Sequence, residues 1–116
     1  MKEFSKYLKN REVFIKKFFL SKIGITGKYL DNFLLILKAN LSIQYLVLDD
    51  NDFENSLITS FLNYLWGNST LRHLSLNNCR LLDQGVKGIA QGLNKNFALE
   101  YLFLRNNYIS VFFFNT

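Results

Sequence analysis

Residues that commonly carry chemistry are scarce in this chain, and each scarcity removes a class of function. One cysteine, Cys79, and one histidine, His73, are present. No internal disulfide can form, which agrees with a reducing compartment, and no Cys or His pair stands at metal-ligand spacing. A run of about 18 apolar residues, long enough to span a bilayer, is also missing. The longest candidate, Phe33 to Leu48, is broken by Lys38, Asn40 and Gln44. The amino terminus also reads as a poor signal peptide, because Lys16 and Lys17 divide its only candidate apolar core, Val13 to Leu20. Gly85, Gly88 and Gly92 fall inside a helical stretch, where they ease helix packing at a cost of about 1 kcal/mol each against alanine. They form no phosphate loop between strand and helix, so nucleotide binding has no motif. Proline is absent, while Phe, Asn, Lys, Leu and Ile abound. That bias points to an AT-rich coding sequence and suits a microbial source.

What the chain does have is a period. Ile43-Gln44-Tyr45-Leu46-Val47-Leu48-Asp49-Asp50-Asn51, Leu71-Arg72-His73-Leu74-Ser75-Leu76-Asn77-Asn78-Cys79 and Leu99-Glu100-Tyr101-Leu102-Phe103-Leu104-Arg105-Asn106-Asn107 align without a gap at a spacing of 28 residues. One step further back reaches Ile15, with Phe18, Leu20 and Ile23 in the matching places. The shared pattern is L-x-x-L-x-L-x-x-N/C. Its second half alternates at period two, as a strand with one buried face does, so Phe18 and Leu20, Leu46 and Leu48, Leu74 and Leu76, and Leu102 and Leu104 point inward. The period then becomes helical: Leu30, Phe33, Leu34 and Leu37; Ile58, Phe61, Leu62 and Leu65; Val86, Ile89, Ala90 and Leu93 each form one stripe against a strand. Asn40, Asn68 and Asn96 recur where the chain turns back. Strand and helix repeated in one direction build a parallel sheet backed by parallel helices. Because a helix is about 10 Å across and strands lie about 4.8 Å apart, the helical side splays and the sheet becomes concave.

This pattern resembles the leucine-rich repeat, and its period resembles the ribonuclease-inhibitor-like class. The resemblance covers about residues 15–110 and implies an α/β fold, a leucine-rich-repeat solenoid forming a short horseshoe arc with a concave parallel β-sheet and convex helices. The chain then reads as a single domain, 1–116. An amino-terminal capping helix (1–14), with Phe4, Tyr7 and Leu8 at helical spacing, precedes full repeats at 15–42, 43–70 and 71–98 and a truncated last repeat at 99–116. Such arrays need about three or more repeats, each burying its apolar edge against a neighbour. Asn51 and Asn107 are expected to turn their amides inward and bond backbone groups in the bend, which strand pairing does not reach. Cys79 takes the same ladder position, and this class is known to interchange Asn and Cys there. Ile23 departs from the ladder and marks a modified first repeat. The apolar tail Val111-Phe112-Phe113-Phe114-Asn115-Thr116 replaces the last helix; it folds back over the array, pairs with another copy, or precedes further repeats.

The same alternation assigns the outward positions to columns running across the strands. Lys17, Tyr45, His73 and Tyr101 form the first, Phe19, Val47, Ser75 and Phe103 the second, Ser21, Asp49, Asn77 and Arg105 the third, and Lys22, Asp50, Asn78 and Asn106 the fourth. Exposed aromatic groups supply binding energy when a partner dehydrates them, although they also stabilise a sheet by packing side by side. Phe19, Tyr45, His73, Tyr101 and Phe103 are the expected anchors, with Val47, Ser75 and Asn77 among them and Asp49, Asp50 and Arg105 setting charge preference. Trp66, just outside its helix stripe, either joins such a surface or packs on Phe33 or Leu37. The four-strand strip measures roughly 19 by 13 Å. That is well below the roughly 800 Å² per partner of a stable interface, so adjacent loops must contribute to tight binding.

Repeats of this class are known from inhibitors, innate-immune sensors and effector proteins of bacteria living inside cells, where they serve as protein-binding scaffolds. The resemblance therefore implies a non-catalytic protein–protein interaction module without cofactor, cytoplasmic or secreted into a host cell as an effector. A self-associating unit, a homo-oligomer joined through residues 111–116, is the alternative. Nucleic acid or an anionic surface ranks after both and rests on charge: the net +5 lies wholly in residues 1–22, where seven basic residues face two acidic ones. A solubilising cap on an exposed solenoid end accounts for the same charge. Enzyme readings fare worse. His73, Ser75 and Asp49 can be drawn as a nucleophile cluster, but side chains two apart on a strand start about 6.6 Å apart, and no loop supplies oxyanion donors. Cys79 as a nucleophile lacks an activating base.

Overall fold

The computed structural model describes residues 14–54 and 57–110. The expected capping helix, apart from Phe14, and the apolar tail 111–116 lie outside the described residues. Strand and helix alternate as β1 (Lys17–Phe19), α1 (Gly27–Lys38), β2 (Tyr45–Val47), α2 (Ile58–Leu65), β3 (His73–Ser75), α3 (Leu82–Leu93) and β4 (Tyr101–Phe103). The strands form one parallel sheet in the order β1-β2-β3-β4. Lys17 lies opposite Tyr45, Tyr45 opposite His73, and His73 opposite Tyr101. Equivalent positions of successive copies are therefore neighbours in space. The fold is α/β, with a helix in each connection between strands.

The core lies between the sheet and the helices. Leu46 and Leu74 of the central strands meet Leu30, Phe33, Leu34 and Leu37 of α1, Phe61 and Leu65 of α2, and Ile89 of α3, all buried. Each such side chain contributes roughly 1.5–3 kcal/mol by leaving water. Phe18 and Leu102, at the equivalent positions of β1 and β4, are only half-buried. Those strands are the sheet's edges, each with one neighbour.

Two helix stripes differ from expectation. Ala90 is exposed, whereas Gly85, Val86, Gly88, Ile89 and Gly92 form the buried side of α3. The reason is contact between helices. A Cβ at Gly88 would collide with the Ile58 carbonyl oxygen, and one at Gly92 would stand 2.9 Å from the Leu65 Cβ. The glycine face of α3 is thus pressed onto α2, which turns Ala90 to solvent. On α2 the buried side is Ser60, Phe61, Tyr64 and Leu65, while Ile58 and Leu62 of the expected stripe are only half-buried beside the α3 glycines. None of the described helices is long and apolar enough to cross a membrane.

The bends leaving the strands are held from the neighbouring copy. Lys22, Asp50, Asn78 and Asn106 are all left-handed there, with φ of 54°, 61°, 56° and 58°, a conformation that Asn and Asp tolerate best among residues with a Cβ. Just beyond, the Asn51 amide donates to the Leu20 and Leu48 carbonyls at 3.1 and 2.8 Å and its oxygen accepts from the Ile25 N–H at 3.2 Å. The Asn107 amide donates to the Leu76 carbonyl at 2.7 Å, while its oxygen accepts from the Cys79 and Leu81 N–H groups at 2.9 and 3.3 Å. The Cys79 thiol donates to the Leu48 carbonyl at 3.2 Å. Each of the three reaches a carbonyl 31 residues earlier. Among the described residues none lies that far before Ile23, and its side chain is half exposed.

A second amide series holds the turns from helix back to strand. The oxygens of Asn40, Asn68 and Asn96 accept N–H groups of Ser42, Thr70 and Ala98 at 3.0, 3.0 and 3.1 Å. The Asn96 amide also reaches back to the Leu65 carbonyl at 2.9 Å. Bonding these partly buried amides to the turn backbone lowers the penalty of leaving its polar groups orphaned.

Candidate interaction surface

With one face of the sheet committed to the core, the pleat directs alternate side chains to the other. There the rings form a continuous row. Phe19 and Tyr45 have centroids 5.6 Å apart, Tyr45 and His73 stack at 3.7 Å with planes 12° apart, and His73 lies 6.1 Å from Tyr101 and 5.0 Å from Phe103. The ends of the row are open: Phe19, Tyr101 and Phe103 are 63, 58 and 43% exposed. The Lys17 ammonium stands 5.7 Å from the Tyr45 ring centroid, within cation–π reach. Partial burial lowers the His73 pKa, opposed by the Asp49 charge. Burial thus favours the neutral imidazole, which stacks as a flat ring on Tyr45.

The remaining outward positions are less uniform. Ser75 is 5% exposed; its hydroxyl donates to the Asp49 carboxylate at 2.7 Å, drawing this short side chain down between larger neighbours. Val47 is half-buried. Asp49 also accepts the Asn77 N–H at 2.8 Å, and the Asn77 side chain in turn accepts the Arg105 N–H at 2.7 Å. Asp49 and Asn77 thus staple successive strand ends, while Asp50 and Arg105 are exposed. Trp66 ends α2 with its side chain 47% exposed.

Catalytic arrangements are not assembled from these groups. The Ser75 hydroxyl is directed to Asp49, and among the described residues no hydrogen bond joins it to His73. Cys79 is buried, and burial pushes its thiol up to about 12, so the reactive thiolate is suppressed. Among the described residues no three His, Cys, Asp or Glu side chains converge as a metal site.

Outward alternation placed Lys17 beside the row but did not reveal the other residues that frame it at the leading ends of the strands. A shallow depression there has Tyr45, His73 and Tyr101 as its floor and Lys16, Lys17 and Arg72 on its rim. Glu100 joins the rim and is paired with Arg72 at 2.9 Å. A signal was available: Lys16, Gln44, Arg72 and Glu100 also recur at the 28-residue spacing, one place before the first outward column.

Comparison with known proteins agrees with this geometry over one stretch. No curated protein matches the chain. The sequence profile of the family described as Leucine Rich Repeat matches residues 70–91, which cover β3, its bend and most of α3. Over that segment the chain is similar to a leucine-rich repeat.

Proposed function

We propose that the chain is a short leucine-rich-repeat array of the ribonuclease-inhibitor-like class and acts as a non-catalytic protein-binding module. Its repeats are 15–42, 43–70 and 71–98, followed by a last one beginning at 99, and the sheet forms the inner side of an arc. The 28-residue offset of every strand pairing, the carbonyl-bonding side chains at 51, 79 and 107 and the profile match over 70–91 support that class. The partner is another protein, engaged through Tyr45, His73, Tyr101, Phe19 and Phe103.

The observation that carries the functional reading is the exposed ring row. Five contiguous rings on the open face of a rigid sheet offer anchors that cost little ordering entropy when a partner covers them. The test replaces Tyr45, His73 and Tyr101 together by alanine. Partners retained by the native chain, identified and then purified, should lose binding to the variant while the far-ultraviolet circular dichroism stays the same. Undiminished binding by the variant would sink the reading.

A further inference from the structure

Charge along the strand axis is uneven around the ring row, and this bears on what kind of segment the row receives. At the leading ends of the strands the rim holds Lys16, Lys17 and Arg72 against one acid, Glu100. Arg72 and Glu100 satisfy each other. Among the described residues neither Lys16 nor Lys17 has an ion pair, and both side chains are exposed. At the trailing ends the charges balance, with Lys22 and Arg105 beside Asp49 and Asp50, and Asp49 is occupied by Ser75 and Asn77.

We infer that this surface receives an acidic peptide segment carrying an aromatic or other flat apolar side chain, with its carboxylates at Lys16 and Lys17 and its apolar group on the Tyr45–His73–Tyr101 floor. The inference rests on the protein-binding reading above and adds the chemistry of the partner. Geometry matches the two requirements to one short segment. The Lys17 ammonium is 5.7 Å from the Tyr45 centroid, and residues two apart in an extended chain, whose side chains share a face, are spaced by about 6.6 Å. An acid two places from a ring can therefore meet Lys17 and Tyr45 at once. Tyr45 and His73, stacked at 3.7 Å, present neighbouring ring edges and leave no room for insertion between them; the partner's ring lies along the row.

Single-stranded nucleic acid combines stacking with negative charge too, but its phosphates recur at every nucleotide. A strand following the ring row would bring phosphates toward the exposed Asp50, which has no ion pair among the described residues. A peptide places its carboxylates only where the lysines are. The cationic rim then contributes mainly discrimination and encounter rate, and the rings contribute residence.

The experiment uses the full chain and three fluorescein-labelled probes read by anisotropy at low ionic strength. They are a soluble glutamate-rich peptide with two phenylalanines, its counterpart with lysine in place of glutamate, and an oligothymidylate of similar length. The acidic peptide should bind at least tenfold more tightly than either of the others and weaken as salt is raised. Exchanging Lys16→Glu and Lys17→Glu together should erase or reverse that preference with the circular dichroism spectrum unchanged, since both positions are exposed. Tyr45→Ala with Tyr101→Ala should weaken the acidic peptide independently of charge. Equal binding of both peptides, unaffected by the lysine exchange but lost with the rings, overturns the acidic partner and leaves the protein-binding reading standing. Preferential binding of the oligothymidylate, or no binding of any probe, overturns the proposal as well. If binding survives the loss of both rings, the protein-binding reading falls with it.

Discussion

The two seams between adjacent helices are built differently. Where α3 meets α2, glycine backbone at Gly88 and Gly92 lies directly on Ile58 and Leu65, and the helices close without a gap. Where α2 meets α1, side chains hold the helices apart and leave a groove lined in part by Asp31, Lys38 and Tyr64. In that groove the Ser60 hydroxyl is buried without a partner, and burial raises the Tyr64 pKa. The Lys38 ammonium crosses to the Asn63 carbonyl at 2.6 Å. Glycine thus sets how closely successive helices approach, while the sheet keeps one regular register beneath both seams.

The contrast is broken most severely by removing what both seams share, the bonded bend. Asn51→Ala withdraws an amide serving the Leu20 and Leu48 carbonyls and the Ile25 N–H. Orphaned buried groups cost about 1–3 kcal/mol each, and we expect a loss of about 3 kcal/mol in urea unfolding. Gly88→Ala acts on the closed seam alone. Overpacking costs about 1–3 kcal/mol and is offset by about 1 kcal/mol of helix propensity. A net loss of up to about 2 kcal/mol is expected, whereas net stabilisation would show that the seam opens freely.

Cys79→Asn sharpens the picture by placing an amide at all three bonded bends. The stability change at pH 7 should stay within about 1 kcal/mol, while the pH dependence changes more. The folded thiol titrates at about 12 against an ordinary 9.0, so the folded state holds its proton more tightly. Its stabilising contribution is complete below pH 9 and is lost as pH rises toward 12. Tyr64, also raised by burial, acts in the same direction at higher pH. The Cys79→Asn variant should retain only the tyrosine part of the alkaline decline, measured as the urea midpoint between pH 8 and 11. The smallest effect is expected at the open seam. Ser60→Ala removes an unpartnered hydroxyl and favours the helix, so a gain of about 0.5 kcal/mol in thermal unfolding is expected; a loss of similar size would mean that a partner for Ser60 had been removed.

Much of the scaffold was legible in the chain. The spacing of Leu46, Leu74 and Leu102 located three strands and their register, because equivalent residues of successive copies become neighbours in a parallel sheet. The place of Cys79 among the asparagines was legible for the same reason. The α3 stripe was misjudged at Ala90, since hydrophobic spacing ranks alanine above glycine, whereas the approach of α2 favours the residue without a Cβ. Ser75 followed the outward alternation, but a short hydroxyl beside Asp49 is bonded and covered. The ring row was visible as two columns, with Lys17 at the head of the first; the close stacking of Tyr45 on His73 and the place of Lys16 beside the row were not.

The linear pattern established the order of elements, the inward leucines, the residues placed at the bends and the columns of the open face. These follow from spacing along the chain, because residues 28 places apart lie opposite one another in the parallel sheet. The width of each helix seam, the burial of Ser60, Ser75 and Tyr64, and the gathering of rings with Lys16 and Lys17 around one depression emerged from three-dimensional packing. They depend on distances between atoms far apart in the chain, which the one-dimensional period leaves open.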